Sequence, residues 1–200
     1  MADYTALTEA GAALIELLRE NLTPEPLGNR ELINLCSPHE SENNQLTLYL
    51  YHIEEDAQNS SAGYYSVDSN TERMRPAQFT LHFLMTAHSK APLQMREADQ
   101  YRILGAAVQA LRDNPVIPQH FLSGSLAAEN ARLHVQIDRV NMEQMLKIWN
   151  NTSKNYKLSA VVTVTGVTIE SKRSRRVSRV KEVIIGTEEK KGELSCSGGR

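Results

Sequence analysis

The chain has 200 residues, of which 40% are hydrophobic and 23% are charged, and its formal net charge is −2. This balance is typical of a globular domain with a sizeable core, and it excludes bulk disorder and a global attraction to nucleic acid or anionic membranes. Two cysteines, one of them in a Gly/Ser-rich tail, exclude a disulfide framework.

The first part of the chain predicts one helix and two strands. Leucines and alanines recur at steps of three and four over residues 4–21, which predicts an amphipathic helix that ends at Thr23-Pro24. Residues 32–36 form a short apolar run and predict a strand. Residues 45–53 alternate between leucines and tyrosine or threonine, so we expect a strand with both faces covered, with Tyr49 and Tyr51 in the core.

The next region is polar and has no periodicity over residues 54–75, which favours a long functional or flexible loop, with a hairpin near residues 64–67 as the alternative. Residues 77–87 predict a second buried strand. Residues 97–112 predict a second helix that ends before Pro115. The buried stripe of this helix is expected to contain Ala98, Tyr101, Leu104, Gly105, Val108 and Leu111.

The rest of the chain predicts a loop at residues 123–125, then a strand over 131–137. Asn141 is placed to cap a third helix that ends at Trp149, with Gln144 in position for a reciprocal contact. The long β-branched run 156–169 and the alternating run 176–185 predict two more strands. We also expect Leu146, Trp149 and Leu158 in the core.

The order of these elements predicts an α/β (α+β) fold in a single domain, with a mixed, mostly antiparallel sheet flanked by about three helices. This domain is expected to span residues 1–186, and the charged and Gly/Ser-rich residues 187–200 are expected to form a disordered tail. The N-terminus lacks the basic region of a signal peptide, and no stretch has the ~20 apolar residues of a membrane helix. We therefore expect folding in the cytoplasm and no membrane insertion.

The sequence carries no recognisable catalytic pattern. Its six histidines are scattered without the spacing of metal ligands. No nucleophile elbow and no phosphate-binding glycine loop occurs. Ser123-Gly124-Ser125 is interpreted as a loop signal, and Glu54-Glu55-Asp56 as a solvated strand end. We expect no catalytic, cofactor or metal site and no small-molecule substrate, so the chain is predicted not to be an enzyme.

Residues 171–181 form the one strongly basic segment. One hypothesis is nucleic-acid binding, although the segment has no interleaved aromatic residues for base stacking. A second is a basic turn between two paired strands, which would keep a sheet edge from mispairing. A third is a patch that docks on an acidic partner surface. The sequence leaves these three interpretations open.

Several landmarks follow one another along the chain. They are the N-terminal helix, the leucine–tyrosine strand 46–51, Arg75-Pro76-Ala77 before the strand 81–87, the helix that contains Ile103-Leu104-Gly105, then Leu146-Lys147-Ile148-Trp149 and the strand that ends at Ile169. In this order the landmarks resemble the N-terminal domain of the tail-cap proteins of extracellular contractile injection systems, of the Photorhabdus virulence cassette and antifeeding prophage type. The chain departs from this family at Pro76-Ala77, where members often have two prolines, and in the basic segment.

The resemblance implies a structural subunit with a fold like that of phage tail-terminator proteins. Copies would form a ring, expected to be a hexamer, at the distal end of the tube and sheath, where the ring would stop assembly and fix the length. It would be assembled in the bacterial cytoplasm and become part of a phage tail-like particle. Alternatives are another baseplate or connector subunit and, with less support, a nucleic-acid-binding module that uses residues 171–181.

Physical reasoning from the residues selects the candidate assembly interface. Aromatic residues in polar loops often contact partners, and arginines suit polar interfaces. An edge strand near residues 176–185 could add to the sheet of a neighbouring subunit. The candidate interface residues are Tyr64, Tyr65, Arg173, Arg175, Arg176 and Arg179.

Overall fold

The computed structural model describes residues 3–38, 43–56, 63–150 and 155–177. Within these residues the chain forms four α-helices and eight strands, and the strands lie in two sheets. The predicted tail and most of the predicted strand 176–185 lie outside the described residues. No helix within the described residues combines the length and the apolarity needed to cross a membrane.

The main sheet has five strands in the order β1-β2-β5-β7-β6. β1 (Ile33–Leu35) runs parallel to β2 (Leu46–Glu55), and all other neighbours are antiparallel. β5 (Ala77–Ala87) and β7 (Ser159–Ile169) are the long central strands, and β6 (His134–Ile137) lies at the edge. The predicted mixed, mostly antiparallel sheet is thus confirmed.

A second, smaller sheet, which we call the peripheral sheet, is connected to the start of β5 and to the end of β7. It consists of β3 (Tyr64–Ser66), β4 (Thr71–Met74) and β8 (Ser174–Arg176) in the order β3-β4-β8, all antiparallel. β4 is followed by β5 after two residues, and β7 is followed by β8 after four. The central strands of the main sheet therefore lead directly into the peripheral sheet.

The helices cover both faces of the main sheet. Three helices contribute to a large core on one face: α1 (Ala6–Leu22), α2 (Arg96–Asp113) and α3 (Gly124–Ala128). α4 (Met142–Asn150) packs on the other face, where Met145 and Trp149 contact a smaller cluster with Leu84 and Val161. This three-layer arrangement follows from strand geometry, because consecutive side chains of a strand point to opposite faces.

Many predicted elements are confirmed. The strand 77–87 has the predicted bounds, and α1, α2 and β2 differ from the predictions by a few residues at their ends. The cap of α4 is also confirmed, because the Asn141 side chain accepts a bond from the Gln144 N–H at 2.8 Å. Tyr49 and Tyr51 are partly buried and pack against the small cluster on the α4 face.

Other predictions were wrong. Residues 64–66 and 71–74 are paired strands, so the region 54–75 is not one long loop and the alternative of a hairpin is confirmed.

The buried stripe of α2 is formed by Ile103, Leu104, Ala107, Ala110 and Leu111, whereas Tyr101 is 55% exposed. The buried side of α2 thus lies at a different angle around the helix axis than predicted, because the small residues Ala107 and Ala110 occupy core positions. Leu146 and Leu158 are exposed, although Trp149 is buried.

Two turn predictions also need correction. The segment 123–125 is more than a loop, because α3 begins at Gly124 and the Glu9 side chain accepts bonds from the Ser125 hydroxyl and the Leu126 N–H. Up to residue 177, where the described part ends, the basic residues after Ile169 do not form a turn between two paired strands, because β7 pairs in the main sheet and β8 pairs with β4. Residues 171–173 of the basic segment connect the two sheets.

Candidate assembly interface

The peripheral sheet is built on a tight hairpin between β3 and β4. The Asp68 carboxylate accepts a bond from the Asn70 N–H at 2.8 Å, and the Val67 N–H donates to the Thr71 carbonyl at 3.0 Å. The Asn70 N–H and the Thr71 side chain keep the pKa of Asp68 below its ordinary value. An aspartate that binds the backbone two residues later is a common turn former. This turn was not recognised in the sequence, since it has no Asn-Gly or Asp-Gly pair.

Arg175 holds the three strands of the peripheral sheet together. Its Nε and Nη2 donate to Glu72 Oε2 on β4 at 2.9 and 2.8 Å, and these two residues are direct cross-strand partners. Its guanidinium carbon also lies 4.1 Å from the centre of the Tyr64 ring on β3. An arginine can form an ion pair and stack on an aromatic ring at the same time because its charged group is planar.

The peripheral sheet has no buried residue in any of its three strands. Tyr64 and Tyr65 are half-buried, Met74 is 38% exposed, and all of β8 is exposed. Three-stranded sheets generally need a hydrophobic face that is covered by other structure. A sheet held by surface ion pairs, in which no residue of the three described strands is buried, is therefore a natural place for another subunit to pack.

The structure brings together the predicted interface residues that it describes. In the observed register, Tyr64 and Arg175 lie on one face of the peripheral sheet, and Tyr65 and Arg176 lie on the other. Arg173 directly precedes β8, and its carbonyl accepts a bond from the Met74 N–H at 3.0 Å. Arg179 lies outside the described residues. The two tyrosines are strand residues and not loop residues, which corrects the reason for which they were selected.

Acidic neighbours neutralise much of the basic charge near the peripheral sheet. Beside the Arg175–Glu72 pair, Arg73 lies 3.4 Å from Glu170, and Lys172 lies 3.7 Å from Asp3. Arg173 and Arg176 are exposed. Among the described residues, the segment is thus a mixed-charge surface. This disfavours nucleic-acid binding, which needs several uncompensated cations along the phosphate backbone.

Two further exposed apolar areas lie outside the peripheral sheet, and sequence reasoning missed both. Met142 and Leu146 lie one turn apart on α4 and are 60% and 42% exposed. Leu93 and Met95, just before α2, are 78% and 64% exposed. Exposed apolar patches often mark contact sites between proteins. For the pair on α4, periodicity alone could not find the exposed area, because it gives no information on which apolar side of a helix faces the sheet. Leu93 and Met95 lie outside the helix, where no periodicity applies.

Comparisons with known proteins give a consistent result. A family model described as the Pvc16 N-terminal domain matches residues 9–182. The fold is similar to a solved sheath/tube terminator of an extracellular contractile injection system, PVC, in the extended state, with a TM-score of 0.63 and 16% identity over 98% of this chain and 67% of that one. It is also similar to the tube-terminating cap of the anti-feeding prophage, with a TM-score of 0.57 and 18% identity.

The second of these likenesses covers 88% of this chain and 59% of the prophage cap, so the chain corresponds to about three fifths of that protein. A comparison with curated protein sequences gave no match.

Proposed function

The chain belongs to the Pvc16 N-terminal domain family, and on this basis we propose that it is a cap subunit that ends the tube and sheath of a contractile injection particle. Copies of the chain form a hexameric ring that binds the last layer of tube and sheath subunits. The ring stops further addition of subunits and thereby fixes the particle length. This function requires binding alone, with no reaction and no cofactor.

The peripheral sheet is the observation that carries this proposal. A growing polymer end presents unpaired strand edges and apolar surface, and a terminator must bury these groups on one side only. Within the described residues, the peripheral sheet offers accessible faces and a strand edge to such a contact, because its strands contain no buried residue and its outer strand β8 is an edge of the sheet. β8 is thus suited to pair with a strand of a neighbouring subunit.

Separate surfaces of the chain fit separate contacts in a ring. A cyclic ring uses two different patches of each subunit, one for each neighbour. The face of the peripheral sheet with Tyr65 and Arg176 provides a polar and aromatic patch, and Met142 with Leu146 on α4 provides an apolar one. We assign the first to tube or sheath subunits, which matches the composition of polar interfaces. We assign the second to one side of the contact between copies, where it packs on a different patch of the neighbouring copy.

Ring formation can be tested with the purified protein by light scattering over a concentration series. A discrete species of about six subunits supports a ring that forms before docking. The variant Leu146→Asp places a charge in the proposed contact between copies and should shift this species to the monomer, while Arg112→Ala, an exposed arginine on α2, serves as the control. A ring that persists in Leu146→Asp would contradict the assignment of α4.

The capping function is tested by the length of particles produced with and without the chain, measured by electron microscopy. We expect one narrow length distribution with the intact chain and a broad one without it. The double variant Tyr65→Ala/Arg176→Ala should broaden the distribution, since it removes two large side chains from one face of the peripheral sheet and leaves the Arg175–Glu72 ion pair on the other face intact. Arg112→Ala should leave it narrow. Unchanged lengths in the absence of the chain would overturn the proposal.

A further inference from the structure

Three potential metal ligands meet on the main sheet near the end from which the peripheral sheet extends. His52 on β2 and His82 on β5 are direct cross-strand partners, and their rings stack with centres 5.3 Å apart. Glu54 lies two residues beyond His52, on the same face of β2. One ligand atom of each residue lies within 4.8 Å of the other two. Sequence spacing could not predict this cluster, because strand pairing brings residues 52 and 82 together.

The two nitrogens of the His82 ring have different environments. Nδ1 lies 3.0 Å from the Thr163 hydroxyl and 3.4 Å from Asp138 Oδ2. The Thr163 hydroxyl donates to Asp138, so it accepts from His82, which places the ring proton on Nδ1. Nε2 then carries a lone pair. It is buried and has no hydrogen-bond partner within the described part of the chain.

Glu54 Oε2 lies 3.7 Å from His82 Nε2. A neutral imidazole nitrogen with a lone pair and a carboxylate oxygen are both acceptors, so they repel each other unless a cation or a bridging donor lies between them, and a metal ion fits this pair of ligand atoms. The Asp138–Thr163–His82 chain also has the form of an outer shell of a metal site. In such sites the histidine donates its second N–H to a carboxylate or another acceptor, and this fixes the orientation of the ring.

We propose that His82 Nε2, a ring nitrogen of His52 and the Glu54 carboxylate bind one divalent transition-metal ion, with Zn²⁺ as the best match. Two imidazoles and one carboxylate are a common zinc donor set, and water can complete the tetrahedron. His52 is exposed and the Glu54 side chain is 65% exposed, so both can shift to close the site around an ion. Asp138 and Thr163 are positioning residues.

The ion would join β2 to β5 at the end of the main sheet. β2 ends at Glu55, and β5 begins at Ala77 directly after the peripheral sheet. A bound metal stabilises the folded state by a free energy that rises with the logarithm of the free metal concentration above the Kd, since the unfolded chain lacks the preformed site. Zinc binding should therefore raise the melting temperature of the whole domain. This role is independent of the capping function, which needs no metal.

The test starts from metal-free protein, titrated with Zn²⁺ in a calorimeter and with Co²⁺ by visible absorption. We expect one Zn²⁺ per chain and a tetrahedral Co²⁺ spectrum. His52→Ala and Glu54→Gln change exposed residues, so both variants should fold and bind Zn²⁺ at least tenfold more weakly. Asp138→Asn should weaken binding by about 10–100-fold with the tetrahedral spectrum retained, as expected for a second-layer partner. His120→Ala, an exposed histidine outside the cluster, is the control.

Two results would overturn the proposal. One is the absence of stoichiometric Zn²⁺ binding by the wild-type chain. The other is unchanged Zn²⁺ affinity in both His52→Ala and Glu54→Gln, which would place the ion elsewhere. The change in melting temperature with Zn²⁺ gives a second readout, because it should occur in wild type and His120→Ala and be lost in the two ligand variants.

Discussion

Replacing Arg175 by alanine should loosen the peripheral sheet without unfolding the domain. The variant removes the ion pair between Arg175, whose side chain is 57% exposed, and Glu72, whose side chain is 20% exposed. It also removes the stacking of the guanidinium on the Tyr64 ring, whose centre lies 4.1 Å from the guanidinium carbon. Exposed ion pairs contribute about 0.2–1 kcal/mol and exposed cation–π contacts about 0.5–1 kcal/mol. Because one side chain makes both contacts, we expect a loss of about 1 kcal/mol in local stability, which is roughly a fivefold increase in local opening.

Hydrogen exchange of single amides measures this local opening. The reporters are the amides of Met74 and Val177, which donate to the carbonyls of Arg173 and Asn70 at 3.0 and 2.9 Å. Both should exchange roughly fivefold faster in Arg175→Ala, while the melting temperature stays nearly constant. Arg176→Ala is the matched control, as this exposed neighbour has no ion pair within the described residues. Exchange rates of the Met74 and Val177 amides that equal those of wild type would refute this reasoning. A melting temperature that falls as far as after a core mutation would refute it as well.

Three more predictions concern the main sheet and the helices. Trp149→Ala should lower the unfolding free energy by about 3–5 kcal/mol in urea titrations, since this buried ring anchors α4; a loss under 1 kcal/mol would mean that α4 is not held there. Gly166→Ala should cost about 1–3 kcal/mol by the same assay, because φ is +91° and the added Cβ would overlap the Arg132 carbonyl; a neutral effect would contradict the backbone geometry. Burial raises the pKa of Glu9, but bonds from Leu126, Thr5 and Ser125 outweigh it and lower the pKa from 4.5. The stabilising effect of ionised Glu9 is thus present above pH 4.5 and lost as the pH falls through the lowered pKa. In urea titrations at several pH values, the unfolding free energy of Glu9→Gln should therefore fall less below pH 4.5 than that of wild type. Parallel curves for the two proteins would contradict the role of Glu9.

The sequence predicted the long elements well for a physical reason. α1 buries one apolar stripe, and β5 and β7 bury apolar residues on both faces, so long apolar patterns in the sequence mark these elements as parts of the core. The order of these elements also carried the resemblance to the tail-cap family, which the family match over residues 9–182 confirms. Local signals were sufficient at the start of α4 as well, where Asn141 and Gln144 lie three residues apart.

The sequence could not predict the features that depend on pairing between distant segments. β3, β4 and β8 have three or four residues each and no apolar alternation, so their assembly depends on pairs such as Glu72 with Arg175. The cluster of His52, Glu54 and His82 depends in the same way on the register of β2 and β5, which includes an irregularity between Leu50 and His52. The sequence also left open which side of α2 faces the core, since alanines form part of its buried face.

The position of the chain on an intact particle tests the proposed capping function most directly. The chain would carry a small affinity tag at its N-terminus for gold labelling, and the particles would be imaged by electron microscopy. We predict label at one end of each particle, on the end of the tube and sheath opposite the baseplate. Label along the sheath, at the baseplate or on free protein alone would contradict the proposed role as a cap.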